Sequence, residues 1–297
     1  MIEVKELAKS FDGFRALDGL NMNVPKGAVY GLVGPNGAGK STAIRHMAGI
    51  YRQDSGEVLI DGEPVYENPE LKGRIAYIPD EIFYFTQARI KDMAVFYSGV
   101  YPRFSMERFE KLGAAFGLDA NRTMRKLSKG MQKQAAFWLA LAQCPDIVIL
   151  DEPVDGLDPV MRRQVWGLLM SEVAENGTTV VVSSHNLREL EDVCDHVGIV
   201  NHGKMTTERS LSELQDNMVK VQLALPDGGK LPEGIEVLHS TSTGRLQQLI
   251  VRGRTEELTN IFAAADPLFM DFVPLTLEEI FIYELGGADS EAKDIVI

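Results

Sequence analysis

Short apolar segments alternate with segments of helical periodicity from the start of the chain to about residue 210. The clearest apolar runs have the length of a strand and cover residues 28–33 (AVYGLV), 146–150 (DIVIL), 178–182 (TTVVV) and 196–200 (HVGIV). Directly after the first run, residues 41–50 place Ile44, Met47 and Ala48 at helical spacing. Strands that alternate with helices predict a mainly parallel sheet covered on both faces, which is an α/β fold.

Two parts of the chain before residue 210 depart from this alternation. The segments 4–11, 19–27 and 57–65 predict antiparallel strands that flank the parallel sheet. Helical patterns alone occupy the region around residues 89–127, which predicts a helical subdomain over about 85–145.

The chain changes character after Leu211, where glycine-rich turns become rare. The tail predicts strands around 219–225 and 249–252, and helices over 255–265 and 276–285. Thr276 is followed three residues later by Glu279, which predicts a capping box at the start of the last helix. We therefore expect one domain over residues 1–215 and a small α+β domain over residues 216–297.

Composition and charge narrow the function classes. The 297 residues are 45% hydrophobic and 25% charged, which is typical of a folded globular chain. The 43 acidic against 30 basic residues give a net charge of −13, which argues against nucleic acid as a partner. No apolar run approaches the roughly 18 residues of a membrane span, and the N-terminus lacks the features of a secretory signal. We expect a cytoplasmic protein.

A glycine-rich loop, GPNGAGKST (residues 34–42), lies between the first apolar run and the first predicted helix. In such a loop the backbone N–H groups converge on phosphate oxygens, and the helix N-terminus adds positive potential. Lys40 supplies a point charge, and the hydroxyl of Ser41 is a ligand for Mg²⁺. The predicted nucleotide-binding residues of the loop are Asn36, Gly37, Ala38, Gly39, Lys40, Ser41 and Thr42.

Two carboxylates, Asp151 and Glu152, directly follow the apolar run at 146–150. This places them at the carboxyl edge of a buried strand, where open α/β sheets bind ligands. Asp151 is suited to orient Mg²⁺, which leaves Glu152 to activate a water for attack on the γ-phosphate of ATP. The sequence thus predicts a site that hydrolyses ATP with Mg²⁺.

Four motifs in fixed order resemble those of the ATP-binding cassette ATPases that power membrane transporters. They are GPNGAGKST (34–42), LSKGMQKQ (127–134), IVILDEPVDGLDP (147–159) and VSSHN (182–186). The resemblance covers about residues 1–215 and implies a P-loop ATPase cassette with a parallel core, antiparallel flanking strands and a helical subdomain. It also implies that two cassettes enclose two ATP molecules, as a homodimer or with a different cassette, and drive separate transmembrane permease subunits.

The resemblance assigns further residues to the site. Phe11 looks like the aromatic residue that stacks on adenine, with Phe14 as the alternative. Ser128 and Gly130 resemble the donors that reach the γ-phosphate held by the other cassette. The dimer-bridging aspartate of the family corresponds to Asp158, and the histidine that contacts the γ-phosphate corresponds to His185.

Three residues differ from the family pattern. Asp80 stands where a glutamine is usual, Lys129 replaces a glycine and Met131 replaces a glutamine. A carboxylate is a harder Mg²⁺ ligand than an amide, so Asp80 is predicted to contact the metal, although it brings negative charge near the triphosphate. These features, with the ending LTLEEIFIYEL, resemble exporter ATPases with separate membrane subunits that are common in Gram-positive bacteria. This resemblance implies export of peptides or drugs, with the chain peripheral on the inner face of the membrane.

Two other functions are compatible with the sequence. One is a cytosolic cassette ATPase that serves a process other than transport, although translation factors of this superfamily carry two cassettes and a basic linker, and this chain is acidic. The other is a module that senses ATP without useful hydrolysis, which the carboxylate of Asp80 motivates.

Aromatic residues are concentrated in one segment, where seven of them lie between residues 81 and 104: Phe83, Tyr84, Phe85, Phe96, Tyr97, Tyr101 and Phe104. Large aromatic side chains are the usual anchors of protein interfaces, but they also fill cores. We therefore expect that part of this segment receives a cytoplasmic helix of a membrane subunit, and that packing of the helical subdomain is the alternative.

Overall fold

The structure is a computed structural model of the chain and describes residues 1–185, 187–216, 218–226, 231–232 and 234–285. The chain forms two compact units. The larger unit comprises residues 1–185 and 193–208, and the smaller unit comprises residues 186–192 and 209–297. The boundary expected at 215/216 falls inside the smaller unit. The division into domains of residues 1–215 and 216–297 stays a prediction.

The strands and helices follow one another along the chain with these bounds. The strands are β1 (Ile2–Phe11), β2 (Phe14–Val24), β3 (Val29–Val33), β4 (Ser55–Ile60), β5 (Glu63–Pro64), β6 (Ile75–Ile78), β7 (Ile147–Asp151), β8 (Thr179–Ser184), β9 (His196–Asn201), β10 (Lys204–Ser210), β11 (Met218–Ala224), β12 (Glu236–Thr243), β13 (Leu246–Arg252) and β14 (Phe269–Val273). The α-helices are α1 (Lys40–Met47), α2 (Pro69–Lys72), α3 (Ile90–Val100), α4 (Met106–Phe116), α5 (Lys129–Leu141), α6 (Pro159–Asn176), α7 (Leu187–Glu191), α8 (Leu211–Asp216), α9 (Thr255–Ala263) and α10 (Leu277–Leu285).

The central sheet of the larger unit has the strand order β10-β9-β3-β8-β7-β6. Strand β3 pairs in parallel with β8 and β9, and β7 pairs in parallel with β8 and β6. Every residue of β3, β7 and β8 is buried, as expected for parallel strands covered on both faces. The predicted α/β fold with a parallel core is confirmed. The carboxyl ends of these strands lie at one edge of the sheet.

A second, antiparallel sheet of the larger unit has the order β2-β1-β4-β5. Its inward side chains, with those of β3 and α1, form one apolar core that includes Leu7, Leu20, Leu32 and Ile44. The flanking antiparallel strands predicted from the sequence are therefore present. This core fixes α1 against the sheets and so positions the loop that precedes it.

Helices α3, α4 and α5 form the helical part of the larger unit. Trp138 of α5 stacks on Phe109 of α4, with ring centroids 4.3 Å apart and an angle of 9° between the rings. The indole N–H of Trp138 donates to the backbone carbonyl of Phe109, which satisfies its polar group inside the core. Helix α5 is therefore held firmly, and its N-terminus carries the LSKGM motif.

The smaller unit contains an antiparallel sheet with the order β12-β13-β11-β14. One of its faces packs on α9 through a core that includes Val221, Leu249 and Phe262. At the start of α10, the hydroxyl of Thr276 accepts from the N–H of Glu279, whose carboxylate accepts from the N–H of Thr276. The predicted capping box is confirmed.

Candidate functional site

The glycine-rich loop connects the end of β3 to the start of α1 and wraps around the first turn of that helix. Gly34 is required by close packing, because a Cβ atom at this position would lie 2.1 Å from the carbonyl oxygen of Val200. Gly39 has a φ of 107°, which L-residues rarely adopt, and its Cβ would lie 2.7 Å from the carbonyl oxygen of Ala16. Glycine at these two positions is therefore needed for the tight turn of the loop before the N-terminus of α1.

The remaining loop residues divide into an exposed tip and a buried base. Asn36 and Gly37 are exposed, whereas Ala38 is buried and its carbonyl accepts from the N–H of Gly203. Thr42 lies in the first turn of α1, where its carbonyl is 2.8 Å from Nδ1 of His46. The tip is thus accessible, and its base is anchored to the larger unit.

Lys40 is the first residue of α1, and its side chain is buried. Its ammonium donates to the carbonyl oxygens of Gly34 (2.6 Å) and Pro35 (3.1 Å) and lies 3.9 Å from Oε1 of Glu152. Burial lowers the pKa of Lys40, and the neighbouring carboxylates of Glu152 and Asp151 oppose that shift. This places a cation between the loop and the acidic strand end.

Asp151 ends β7 and is almost completely buried. Its Oδ1 accepts hydrogen bonds from the hydroxyl of Ser41 (2.9 Å) and from the hydroxyl of Ser183 (2.7 Å). The structure therefore joins the two sequence-predicted Mg²⁺ ligands, Ser41 and Asp151, in one hydrogen-bonded pair. Ser183 on the neighbouring strand β8 was not predicted, and it completes the support of this carboxylate.

Glu152 and His185 also meet at this edge of the sheet. Oε2 of Glu152 lies 2.9 Å from Nδ1 of His185, and these side chains share a small cluster with the carboxylate of Asp155. Burial raises the pKa of Glu152, and the charges of His185 and Lys40 partly offset that shift. The backbone of Glu152 has a φ of 47°, a left-handed conformation that is uncommon for a residue other than glycine.

The residues that the resemblance assigns to the dimer interface lie at two exposed helix N-termini. Ser128 is the N-cap of α5, and its hydroxyl accepts from the N–H of Met131. Asp158 is the N-cap of α6 and accepts from the N–H groups of Val160 and Met161 at 3.0 Å each. The two helix starts are adjacent, since a Cβ on Gly130 would lie 3.1 Å from the carbonyl oxygen of Gly156.

The two aromatic candidates for adenine stacking lie on either side of the β1–β2 turn. Phe11 ends β1 and pairs with Phe14 at the start of β2, and both rings are exposed. Phe11 also contacts the ring of Tyr51 edge to face at 5.5 Å, and the ammonium of Lys9 lies 5.5 Å from its centroid. Phe11 is the more firmly held of the two, and its role stays a prediction.

Asp80 follows β6 and is placed differently from the other predicted Mg²⁺ ligands. Its side chain is 58% exposed, and its carboxylate lies 3.5 Å from Nζ of Lys133 on α5. Asp80, Lys129 and Asp155 line a cleft of about 500 Å³ together with Glu81, Ile82, Tyr84, Gln132, Lys133 and Gly156. The structure thus pairs Asp80 with a buried lysine, Lys133, for which the sequence predicted no role.

The fold and this site define a P-loop nucleotide-binding protein, because the glycine loop, the lysine and the paired carboxylates occupy one sheet edge. Comparisons with known proteins narrow this class. The sequence profile of the family described as ABC transporter matches residues 17–155. The chain is 31% identical to the ABC transporter ATP-binding protein YtrB of Bacillus subtilis, over 97% of this chain and 99% of that protein.

Two other relatives agree with this match. The bacitracin transport ATP-binding protein BcrA of Bacillus licheniformis is 29% identical over 97% of this chain and 98% of its own length. A solved structure described as the ATP-binding subunit of an ABC transporter superposes with a TM-score of 0.67 at 26% identity, over 72% of this chain and 92% of that one. The chain therefore belongs to the ATP-binding proteins of ABC transporters, and it is an ATPase. Among the residues that the structure describes, no helix is both long enough and apolar enough to cross a membrane.

Proposed function

We propose that this chain binds Mg-ATP at the glycine loop and hydrolyses it with Glu152 as the general base. The observation that carries this proposal is the convergence of Lys40, Ser41, Asp151, Glu152 and His185 on one edge of the parallel sheet. The loop N–H groups and the ammonium of Lys40 bind the phosphates, and the exposed ring of Phe11 is offered to the adenine.

The residues present fit a magnesium ion. The hydroxyl of Ser41 and the carboxylate of Asp151 are hard oxygen ligands 2.9 Å apart, which is the donor type that Mg²⁺ prefers. Ser41 and Asp151 would hold the ion, and Mg²⁺ would supply neutralisation of the charge on the phosphate oxygens. Asp80 remains a proposed third contact, and its observed partner is Lys133.

The environment of Glu152 suits proton abstraction from a water molecule. Burial raises the pKa of Glu152, which increases the basicity of its carboxylate. His185 contacts one of its oxygens and keeps the carboxylate oriented, and the same imidazole is placed to bind the γ-phosphate. In this proposal Glu152 positions the attacking water, and His185 positions the γ-phosphate that the water attacks.

We further propose that two cassettes act together, either two copies of this chain or this chain with a homologous one. Ser128 and Asp158 are exposed N-caps of α5 and α6, and a Cβ atom on Gly130 would lie 3.1 Å from the carbonyl oxygen of Gly156. Exposed helix N-termini bind anions, so this face is suited to the γ-phosphate held by the other cassette.

The membrane role proposed here is export, with the chain on the cytoplasmic face of the membrane and bound there through permease subunits. The similarity to BcrA, a bacitracin transport ATP-binding protein, supports a peptide or drug as the cargo. Phe83, Phe85 and Phe96 form a contiguous exposed aromatic patch, with ring centroids 5.7 and 5.0 Å apart. Exposed aromatic patches mark protein interfaces, and we assign this one to a cytoplasmic helix of the permease.

Two other functions make different predictions. A cassette ATPase that serves a process other than transport would hydrolyse ATP without any response to a permease. A sensing module would bind ATP and release little phosphate at saturating Mg-ATP.

The experiment compares Glu152→Gln with Glu175→Gln, which neutralises an exposed carboxylate on α6. We expect E152Q to bind ATP as the parent chain does and to release phosphate about 10²- to 10⁴-fold more slowly, because general-base catalysis contributes a factor of that size. E175Q serves as the control for loss of a negative charge. Turnover of E152Q within twofold of the parent would reject Glu152 as the base.

A further inference from the structure

Lys133 is a buried cation in the larger unit that the site as described so far does not use. It is the fifth residue of α5 and is only 7% exposed. Its ammonium donates to the backbone carbonyl of Glu152 at 2.8 Å and lies 3.5 Å from Oδ1 of Asp80. An ammonium group is removed from water only at a large cost unless partners replace the lost hydration. Its two partners therefore explain why it is tolerated here.

The first partner links Lys133 to the backbone geometry of Glu152. The backbone of Glu152 has a left-handed φ of 47°, and such strained conformations persist only where the surroundings hold them. The N–H of Glu152 is held by the hydroxyl and carbonyl of Ser183, and its C=O is held by Lys133. The peptide groups on both sides of the Glu152 Cα are thereby fixed, which determines where the carboxylate points.

The second partner of Lys133 is the carboxylate of Asp80, which lies on the segment after β6. The side chain of Asp80 is 58% exposed, and its Oδ1 lies 3.5 Å from Nζ of Lys133. The ammonium of Lys133 lies between the carboxylate of Asp80 and the backbone of Glu152. It is therefore placed to neutralise Asp80 and to connect the segment after β6 with the end of β7.

We propose that Lys133 is a positioning residue for ATP hydrolysis, which fixes the backbone of Glu152 and neutralises Asp80 from the helix that begins at Ser128. This inference rests on the proposed role of Glu152 as the base. It assigns Lys133 no contact with ATP. Loss of Lys133 therefore lowers the rate of the chemical step and leaves the affinity for ATP unchanged.

Three variants separate these contributions. Lys133→Met keeps the length of the side chain and removes its charge and its hydrogen-bond donors. Lys133→Arg keeps the positive charge and the donors. Asp80→Asn removes the charge that Lys133 neutralises. We expect K133M to lower kcat about 10- to 100-fold, since a small displacement of a catalytic group costs that much. ATP affinity, measured by fluorescence of a labelled nucleotide, stays within about threefold, and K133R recovers most of the loss.

The double variant K133M/D80N tests the electrostatic part. If Lys133 neutralises Asp80, K133M lowers kcat less in the D80N background than in the parent chain, so the effects of the two substitutions on kcat are not additive. Additive effects would remove the link to Asp80. If K133M does not fold, as judged by circular dichroism, the same criteria apply to Lys133→Gln.

Failure of this inference is distinguishable from failure of the proposed function. E152Q is measured in the same series, and its turnover alone decides the role of Glu152. If E152Q is inactive while K133M stays within twofold of the parent in kcat, Glu152 is the base and Lys133 does not position it. If K133M and K133R each lose kcat, and lose ATP affinity to the same extent, Lys133 only stabilises the fold.

Discussion

Ser183 gives the sharpest test of how the acidic edge of the sheet is built. Its hydroxyl donates to the buried carboxylate of Asp151 at 2.7 Å and lies 3.2 Å from the backbone nitrogen of Glu152. Ser183→Ala removes this hydroxyl and leaves a space no larger than one oxygen atom. Among the described residues, the hydroxyl of Ser41 then remains as a side-chain donor to Asp151, and the N–H of Glu152 keeps the carbonyl of Ser183.

The size of the effect follows from the charge and burial of the acceptor. A hydrogen bond to a charged group contributes about 1.5–3 kcal/mol to the free energy of unfolding. The backbone N–H of Glu152 retains a partner, so its desolvation adds little, and we expect S183A to cost about 2 kcal/mol. For a unit of about 200 residues, each 1 kcal/mol lowers the melting temperature by about 2–4 °C. S183A should therefore melt about 4–8 °C below the parent chain.

The assay is thermal unfolding followed by circular dichroism without nucleotide, with Ser171→Ala as the matched control. Ser171 is an exposed residue of α6 whose hydroxyl donates to the carbonyl of Gly167. Surface substitutions of this kind change stability by less than about 0.5 kcal/mol, and alanine favours the helix. If S183A melts within about 1 °C of S171A, the hydrogen bond to Asp151 does not support the site.

Two further predictions concern Glu152 and the aromatic patch. Burial raises the pKa of Glu152, so just above pH 4.5 the folded chain binds more protons than the unfolded chain. The contribution of Glu152 to stability therefore falls as the pH rises through that window, and the melting temperature of E152Q should rise relative to that of the parent chain. Parallel curves of melting temperature against pH for the two proteins would contradict this prediction. Phe85→Ala should abolish stimulation of ATPase activity by the permease while ATP affinity stays within about twofold of the parent, and retained stimulation would reject the docking surface. Tyr97→Ala should instead lower the melting temperature, because this ring is half-buried and its burial raises the pKa of Tyr97 to about 12.

The parallel core could be predicted because its strands leave a plain pattern in the sequence. Residues 147–151 and 179–184 are continuous apolar or small runs bounded by turns, which is what burial on both faces requires. Strand β12 shows the limit of this reasoning. Its sequence, EVLHSTST, is mostly exposed and has no alternation, so hydrophobic patterning gave no signal. Strand β14 was also missed, since its sequence FMDFV has an aspartate in the middle and so forms no continuous apolar run, and none of its residues is fully buried.

The candidate site could be predicted only where a residue belongs to a motif. Lys40, Ser41, Asp151 and Glu152 follow from their positions in the glycine loop and at a strand end. Ser183 and Lys133 lie inside the motifs at 182–186 and 127–134, but no role was predicted for them, because a serine at a strand end or a lysine on a helix is usually solvated. Their roles depend on contacts with residues 32 and 19 positions away in sequence.

The strongly acidic chain and a triphosphate ligand are compatible because electrostatic interactions are local. The net charge of −13 is distributed over the whole chain, and at physiological salt exposed charges are screened beyond about 8 Å. At the site, the buried ammonium of Lys40, the loop N–H groups and the start of α1 act over a few ångströms in a medium of lower dielectric constant. Nearby, the charge of Lys133 opposes that of Asp80. A nucleic acid would instead meet the exposed acidic surface over many phosphates at once. The same charge distribution therefore admits a small triphosphate and disfavours a polyanion.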